Sequence, residues 1–496
     1  MASQFGKTVA QVAILAACFG FGPVETATAQ TESDVIAKQY DDGSIYEGTF
    51  RDGRQHGTGT YKLTNGYEYS GDWVEGEIKG NGKARFPNGS VYEGQFVAGK
   101  PQGKGKITFA DGGTYDGAWT NGKMTGVGMA TYANGAVYAG AFVDGVHDGK
   151  GKITNPGGYS YDGTWVKGVK DGTGKITYPD GAVYQGSLLQ GQRSGKGTLT
   201  MPDGLTYVGD WSAGQINGEG KLTQPNGDIY EGPLVDGQRR GNGKVSYGNG
   251  DYYEGEFAND KRHGQGVFRG ADGYVYDGTW VAGRIEGAGK ATYPDKSVYV
   301  GQFKADQADG TGKISYADGS AYDGLWKAGA IAGKGRATYA NGLVYEGSFV
   351  DAKPEGQGTM TYPDGYRYEG MWSEGQRQGK GTATYADGTV YNGDFVGGQR
   401  EGQGEITMKD GFKYTGSWKA GEIDGKGIAT YANGDVYEGI FVKGKRQGQG
   451  TMRYASGEEA QGEWTAGGLT GPAEATAPPA APTPVDGAAP AATDGG

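Results

Sequence analysis

The chain has 496 residues, among them 102 Gly, 35 Tyr, 15 Phe and 9 Trp, and a formal net charge of -11. This length exceeds one ordinary core, the glycine content excludes long helices and the aromatics favour strands. The acidic balance excludes broad binding to nucleic-acid phosphates or to anionic lipid.

Residues 1–29 carry Lys7, an apolar run from Val9 to Phe21, then Pro23 and Ala27-Thr28-Ala29. This is the pattern of a secretory signal peptide, too short for a membrane span. Leu15-Ala16-Ala17-Cys18 also resembles a bacterial lipobox at 15–18, in which Cys18 would be lipidated. Both readings predict export, to the periplasm, the exterior or the outer membrane as a lipoprotein. Cys18 is the only cysteine, so cleavage after Ala29 leaves no disulfide. Residues 30–43 read as a linker.

From 44 to 471 the chain is a tandem array. Each copy opens on Tyr-x-Gly-x-aromatic, as in YEGTF from Tyr46 and YSGDW from Tyr69. The tyrosine recurs every 23 residues from Tyr46 to Tyr437, in 18 copies without insertion or deletion, and a degenerate nineteenth has Ala460 in its place. Tyr46, Gly48 and Phe50 alternate with Glu47 and Thr49, the period of a strand. Gly57 and Gly59 then begin a second alternating segment, the return strand. The hairpin closes on Asp-Gly or Asn-Gly, often after proline, as at Pro179-Asp180-Gly181. Proline suits the first central position of a type I turn and glycine the left-handed residue after it. This predicts a three-residue loop with a bulge. A two-residue loop there would shift the register by one and set apolar positions against Glu.

These residues, as in YEGTFRDGRQHGTGTYKLTNG, resemble the MORN repeat (membrane occupation and recognition nexus). The resemblance implies an all-β fold without helices in the array. One hairpin per repeat would stack into an elongated single-layer antiparallel sheet. It also implies a link to membranes and phosphoinositides.

A second period runs through the aromatic column. Phe50, Trp73, Phe96, Trp119, Phe142 and Trp165 alternate, Leu188, Trp211 and Leu234 follow, and the phase slips before Phe257 and Trp280. Trp326, Trp372, Trp418 and Trp464 continue it, so all nine Trp stand in this column. Eleven residues after Trp73 comes Ala84, after Trp326 Ala337, whereas Phe96 is followed by Ile107. Volume compensation of this kind marks a shared closed space. The column Tyr46, Phe50, Tyr69, Trp73 and onward is therefore expected to be core rather than a ligand platform.

Chemistry is sought and not found. His56, His147 and His263 lie four or five repeats apart, about 40–50 Å at two strands per repeat, so one chain cannot bring them to a metal. The Gly-x-Gly pairs lack the helix and lysine of a phosphate loop. No catalytic residues, metal or cofactor are expected, and no enzyme. Cations do gather in the loop after the aromatic: Arg54, His56, Lys100, Arg193, Arg239, Arg240, Lys261, Arg262, Arg377, Arg400, Lys445 and Arg446. They predict a basic edge opposite an acidic row at Glu47, Glu93 and Glu231. Residues 472–496 are rich in Ala and Pro and read as a disordered tail. The expected function is a non-enzymatic scaffold of the bacterial envelope or exterior, for a protein partner or self-association as a homodimer. The alternative is binding of phospholipid head groups or envelope glycans through the basic edge.

Overall fold

The computed structural model describes residues 35–472. The signal segment, both readings of Cys18 and the Ala/Pro-rich tail after 472 lie outside the described residues. The chain divides into two units between Ala271 and Asp272. Among the described residues there is no helix. The first unit runs from the strand Ile36–Gln39 to Lys261–Arg269, and the second from Val275–Val281 to Gly468–Pro472. Within each unit successive strands form one antiparallel hairpin after another in an open sheet. Ile36–Gln39 pairs with the first repeat, Ile36 opposite Gly48, so the sheet begins inside the segment read as a linker.

Each repeat builds two strands of unequal length. Ile45–Arg51 has 7 residues and Arg54–Lys62 has 9. Gly48 pairs with Gly59 and Phe50 with Gln55, leaving Thr49 opposite residues 56–58. This bulge requires a left-handed residue, and Gly57 supplies it with φ +79°. The first glycine of Gly-x-Gly thus serves the backbone. The second serves a side chain, because a Cβ on Gly59 would lie 2.3 Å from the Tyr46 hydroxyl.

The return turn has the predicted three-residue form. Gly181 N–H donates to Tyr178 O at 3.0 Å and Tyr178 N–H to Ala182 O at 2.8 Å. Gly181 has φ +90°, and the Asp180 carboxylate accepts the Ala182 N–H at 2.9 Å. The other turn is tighter. Asp52 and Gly53 both have positive φ, 48° and 77°, which makes it a two-residue type I′ turn. Its first position is seldom glycine: Glu75, Ala98 and Lys167 all take φ between 48° and 52° there. Its second position is glycine except at Asp260, Asp306 and Ala352. The two aspartates accept backbone N–H bonds from Arg239 at 2.9 Å and Ile285 at 2.7 Å, and so stabilise the turn another way. Each such turn is stitched to the repeat before it, as Gly76 N–H donates to Gln55 O at 2.8 Å.

Candidate functional site on the two faces of the sheet

On one face every repeat tyrosine lies flat over the paired glycines of its own hairpin. Tyr46 is 0% exposed, and its hydroxyl donates to Thr49 O at 3.0 Å. Burial pushes its pKa up to about 12. Its ring meets Phe50 edge-on at 5.1 Å and Trp73 of the next repeat at 5.2 Å. Tyr69 then contacts Trp73 and Phe96, Tyr92 contacts Phe96 and Trp119, and the chain of edge-to-face rings continues. Such contacts add about 0.5–1.5 kcal/mol each beyond burial. The nine tryptophans are 3–9% exposed. Trp119, Trp165, Trp211, Trp280, Trp372, Trp418 and Trp464 occupy the same buried column as Trp73 and Trp326, and Phe50 at its start is half-buried.

The indoles lean backwards. Trp73 Nε1 donates to Gly59 O at 3.2 Å, Trp326 to Gly312 O at 3.0 Å and Trp464 to Gly450 O at 3.0 Å. Trp73 accordingly touches Tyr61, 12 residues before it, at 5.9 Å. Ala84 instead pairs with Tyr69 and Tyr92. Ring and hydrogen-bond partners of Trp73 thus lie on the strand before it as well as in its own hairpin. Ile314 holds the position before Trp326 that Tyr61 holds before Trp73.

The expected basic edge is corrected by the structure. The residue nine after each repeat tyrosine pairs directly with the aromatic, as Leu188 does with Arg193 and Trp372 with Arg377. Its side chain therefore falls on the aromatic face. Arg193 stacks on Trp211 at 4.1 Å, Arg400 on Trp418 at 4.4 Å and Arg446 on Trp464 at 4.5 Å. Arg239 lies over Phe257, Arg262 over Phe268 and Arg377 over Phe395. Arg193, Arg400 and Arg446 also donate to the turn carbonyls of Gly214, Gly421 and Gly467 at 2.5–2.6 Å. All six arginines close the aromatic face, and Arg239 and Arg377 likewise donate to the turn carbonyls of Asp260 at 2.7 Å and Gly398 at 2.5 Å. His147 does the same without charge. It stacks on Tyr138 at 3.6 Å, its Nε2 lies 2.7 Å from the Tyr132 hydroxyl, and burial lowers its pKa to about 4.

Arg54, Lys100, Arg240, Lys261 and Lys445 are exposed at the turns, with Arg240 donating to Asn259 at 3.2 Å. Half-buried His56 accepts the Glu75 N–H on Nδ1 at 3.4 Å, a role Gln102 and Asp148 fill one or more repeats on. Among the described residues no cluster of His, Cys, Asp or Glu could hold a metal, and no helix is long and apolar enough to cross a membrane.

The opposite face is polar and exposed. Its acidic row is interleaved with lysines of the return strands, residues outside the expected basic edge. Lys83 pairs with Glu93 at 2.6 Å, Lys221 with Glu231 at 2.9 Å and Lys244 with Glu254 at 3.1 Å. The Lys83 hydrogen bond holds the Glu93 carboxyl below its ordinary pKa. Between the charged rows the glycine pairs form a shallow groove. One stretch of about 690 Å³ runs over Gly197, Gly209 and Gly220 between Lys196 and Glu231, and another of about 610 Å³ over Gly370, Gly381 and Gly393. Cations dominate this face from Lys104 to Lys196, and carboxylates from Asp210 to Glu256. The sequence carried a signal for the arginines' true place. Ile78, Met124, Ile216 and Ile285 share their column, and such residues belong on the apolar face.

Comparison with known proteins gives the following. The MORN repeat family matches 18 consecutive segments, from 46–66 to 437–459. No curated protein matches the chain. Among solved structures, the SAS-4 (dCPAP) TCP domain of Drosophila melanogaster, in complex with a proline-rich motif of Ana2, is 15% identical, covering 43% of this chain and 99% of that one with a TM-score of 0.20. The TCP10 domain of Danio rerio CPAP, with a STIL peptide, is 16% identical over 54% of this chain and 93% of that one, with a TM-score of 0.18. A streptogramin B lyase is 11% identical over 59% and 91%, with a TM-score of 0.11. Similarity this low carries no functional inference.

Proposed function

We propose, because the chain belongs to the MORN-repeat family, that this binding scaffold engages a protein partner through the polar face of its sheet. One observation carries the reading. The aromatic face is closed by its own tyrosines, tryptophans and arginines, with Tyr46, Tyr69 and Tyr92 all 0% exposed. Apart from an opening of about 940 Å³ beside Met452 and Trp464, what remains for a partner is the opposite face, where a glycine-floored groove runs between rows of paired charges. The pattern repeats every two strands, about 9.6 Å, and suits an extended protein surface better than a small ligand. The composition of residues 1–29 supports export, so the partner is sought in the bacterial envelope or exterior, a second copy of the chain included.

The test is photo-crosslinking of the full chain in its native envelope, with the reactive group at exposed Thr311 on the polar face or at Lys261 on the turn edge. Protein adducts from Thr311 and none from Lys261 are expected. Adducts confined to Lys261, with lipid or glycan attached, would overturn the reading in favour of head-group or glycan binding at the edge.

A further inference from the structure

The polar face carries exposed apolar residues, Val208, Val300 and Ile428 among them, and such residues gather around the strand Lys123–Thr131. In every repeat the residues 12 and 14 after the tyrosine point out on this face, and they are mostly Lys, Thr, Asn, Gln or Glu. Only in the repeat of Tyr115 are both large and apolar, Val127 and Met129. Val127 is 77% exposed and Met129 51%. The strand beside them adds Ala139 and Ala141, in register opposite Met129 and Val127. The strand on the other side adds Ala118. Where repeats before and after place charges or amides, three adjacent strands here present methyl groups to water.

The flanks are charged. Lys104 and Lys106 stand on the strand before, opposite Ala118 and Asp116. Lys150 and Lys152 stand on the strand after, Lys152 opposite Ala139. All four lysines are exposed. The strands Lys100–Thr108 and Val146–Thr154 lie four strand spacings apart, about 19 Å. An exposed apolar patch rimmed by charge marks an interaction site, with the buried centre supplying affinity and the rim supplying orientation.

We propose that this patch docks an acidic amphipathic segment of a protein partner. The segment presents two or three aliphatic side chains to Val127 and Met129. It carries Asp or Glu about 19 Å apart to meet the two lysine pairs, a separation spanned by about six extended residues. A nucleic acid would meet the lysines but leave the apolar strip unmatched, and an anionic bilayer would give lipid rather than peptide at a crosslink from the strip, which would overturn the proposal. The inference rests on the polar face being the binding face, and it names where on that face binding is strongest and what is bound.

The experiment places the photoreactive group at Met129 in the full chain and compares it with the group at Thr311. The crosslinked partner peptide is sequenced. An aliphatic residue at the Met129 adduct with carboxylates on both sides is expected. The double charge reversal Lys104→Glu with Lys150→Glu should lower the adduct yield by about tenfold or more, the loss of roughly one decade of affinity. Both lysines are exposed, so the fold tolerates the change. Adducts at Thr311 with none at Met129 would overturn this site while leaving the scaffold reading intact. Adducts at neither would overturn both. A Met129 adduct that lacks carboxylates, or survives the charge reversal, would overturn the proposed partner chemistry.

Discussion

Two repeats with the same consensus are held in different ways. In the second unit, Ala321–Lys327 pairs with an unbroken return strand, Ala330–Thr338, around the usual bulge, and Trp326 donates to Gly312 O while packing on Tyr299 at 5.1 Å. In the first unit, Ile229–Val235 carries Pro233 and Leu234, and its return strand is interrupted at Arg240 into Gln238–Arg239 and Gly241–Ser246. Leu234 has no indole N–H and Pro233 no backbone N–H. Arg239 takes over. Its guanidinium donates to Asp260 O at 2.7 Å and lies over Phe257 at 5.3 Å. A tryptophan ties its repeat to the one before, and an arginine ties its repeat to the one after. Stability in such an array is a sum of neighbour terms, so either direction of attachment suffices.

The sharpest break of this contrast is Trp326→Ala. It removes a buried ring and its hydrogen bond, and should cost about 3–5 kcal/mol locally. Hydrogen exchange across 310–338 reads it, and unchanged protection there would refute the tie. In a double-mutant cycle, coupling of Trp326 is expected with Ile314 rather than with Ala337.

His147 stands where the irregular repeat has Arg239 and the regular one Ile331, and it adds a pH term to the comparison. It is neutral in the fold, with a pKa near 4, whereas the unfolded chain protonates it around its ordinary 6.5. Its contribution is whole above pH 6.5 and is lost as the pH falls towards 4. The full span is worth at most about 3 kcal/mol. His147→Ile should flatten urea stability between pH 6.5 and 4, and an unchanged slope would contradict the buried neutral ring.

Arg239→Ala should cost about 1–2 kcal/mol for a lost charge-assisted bond. Faster exchange is expected at 238–246 and across the turn at Asn259 and Asp260. The smallest effect is expected at Ala352, which holds φ 61° without a side-chain bond. Ala352→Gly relieves about 1–2 kcal/mol of left-handed strain and adds about 0.4–1 kcal/mol of unfolded-state entropy. A small gain in thermal stability should result, while Asp306→Gly gains less because it forfeits the bond to Ile285.

Much of the fold was legible because its signals are local. Pro179-Asp180-Gly181 specifies its own turn, and the tyrosine spacing specifies one hairpin per repeat. The type I′ turn was not legible, since Ala98 and Lys167 give no sign of a left-handed backbone. There the strands on either side impose the conformation. The lean of Trp73 was equally hidden, because composition shows that two columns vary together but not which of two neighbours an indole faces. The arginines misled for a physical reason. Their charge suggests solvent, yet a guanidinium stacks on a ring and still reaches a turn carbonyl. On the candidate site, the charged residues could be enumerated, but which face each one occupied depended on the bulge at Gly57.

The backward reach of a tryptophan such as Trp73 or Trp326, 14 residues to a glycine carbonyl, has a consequence for how such a gene can change. Contacts extend only to the adjoining repeat, and Phe and Trp alternate. Unequal recombination that removes or inserts 46 residues rejoins like with like, and every indole keeps its acceptor. A 23-residue event instead sets two residues without an indole side by side, the arrangement found at Leu234 and Phe257. Across that phase slip the tie to the next turn is made by Arg239, as arginines of the same column make it in other repeats.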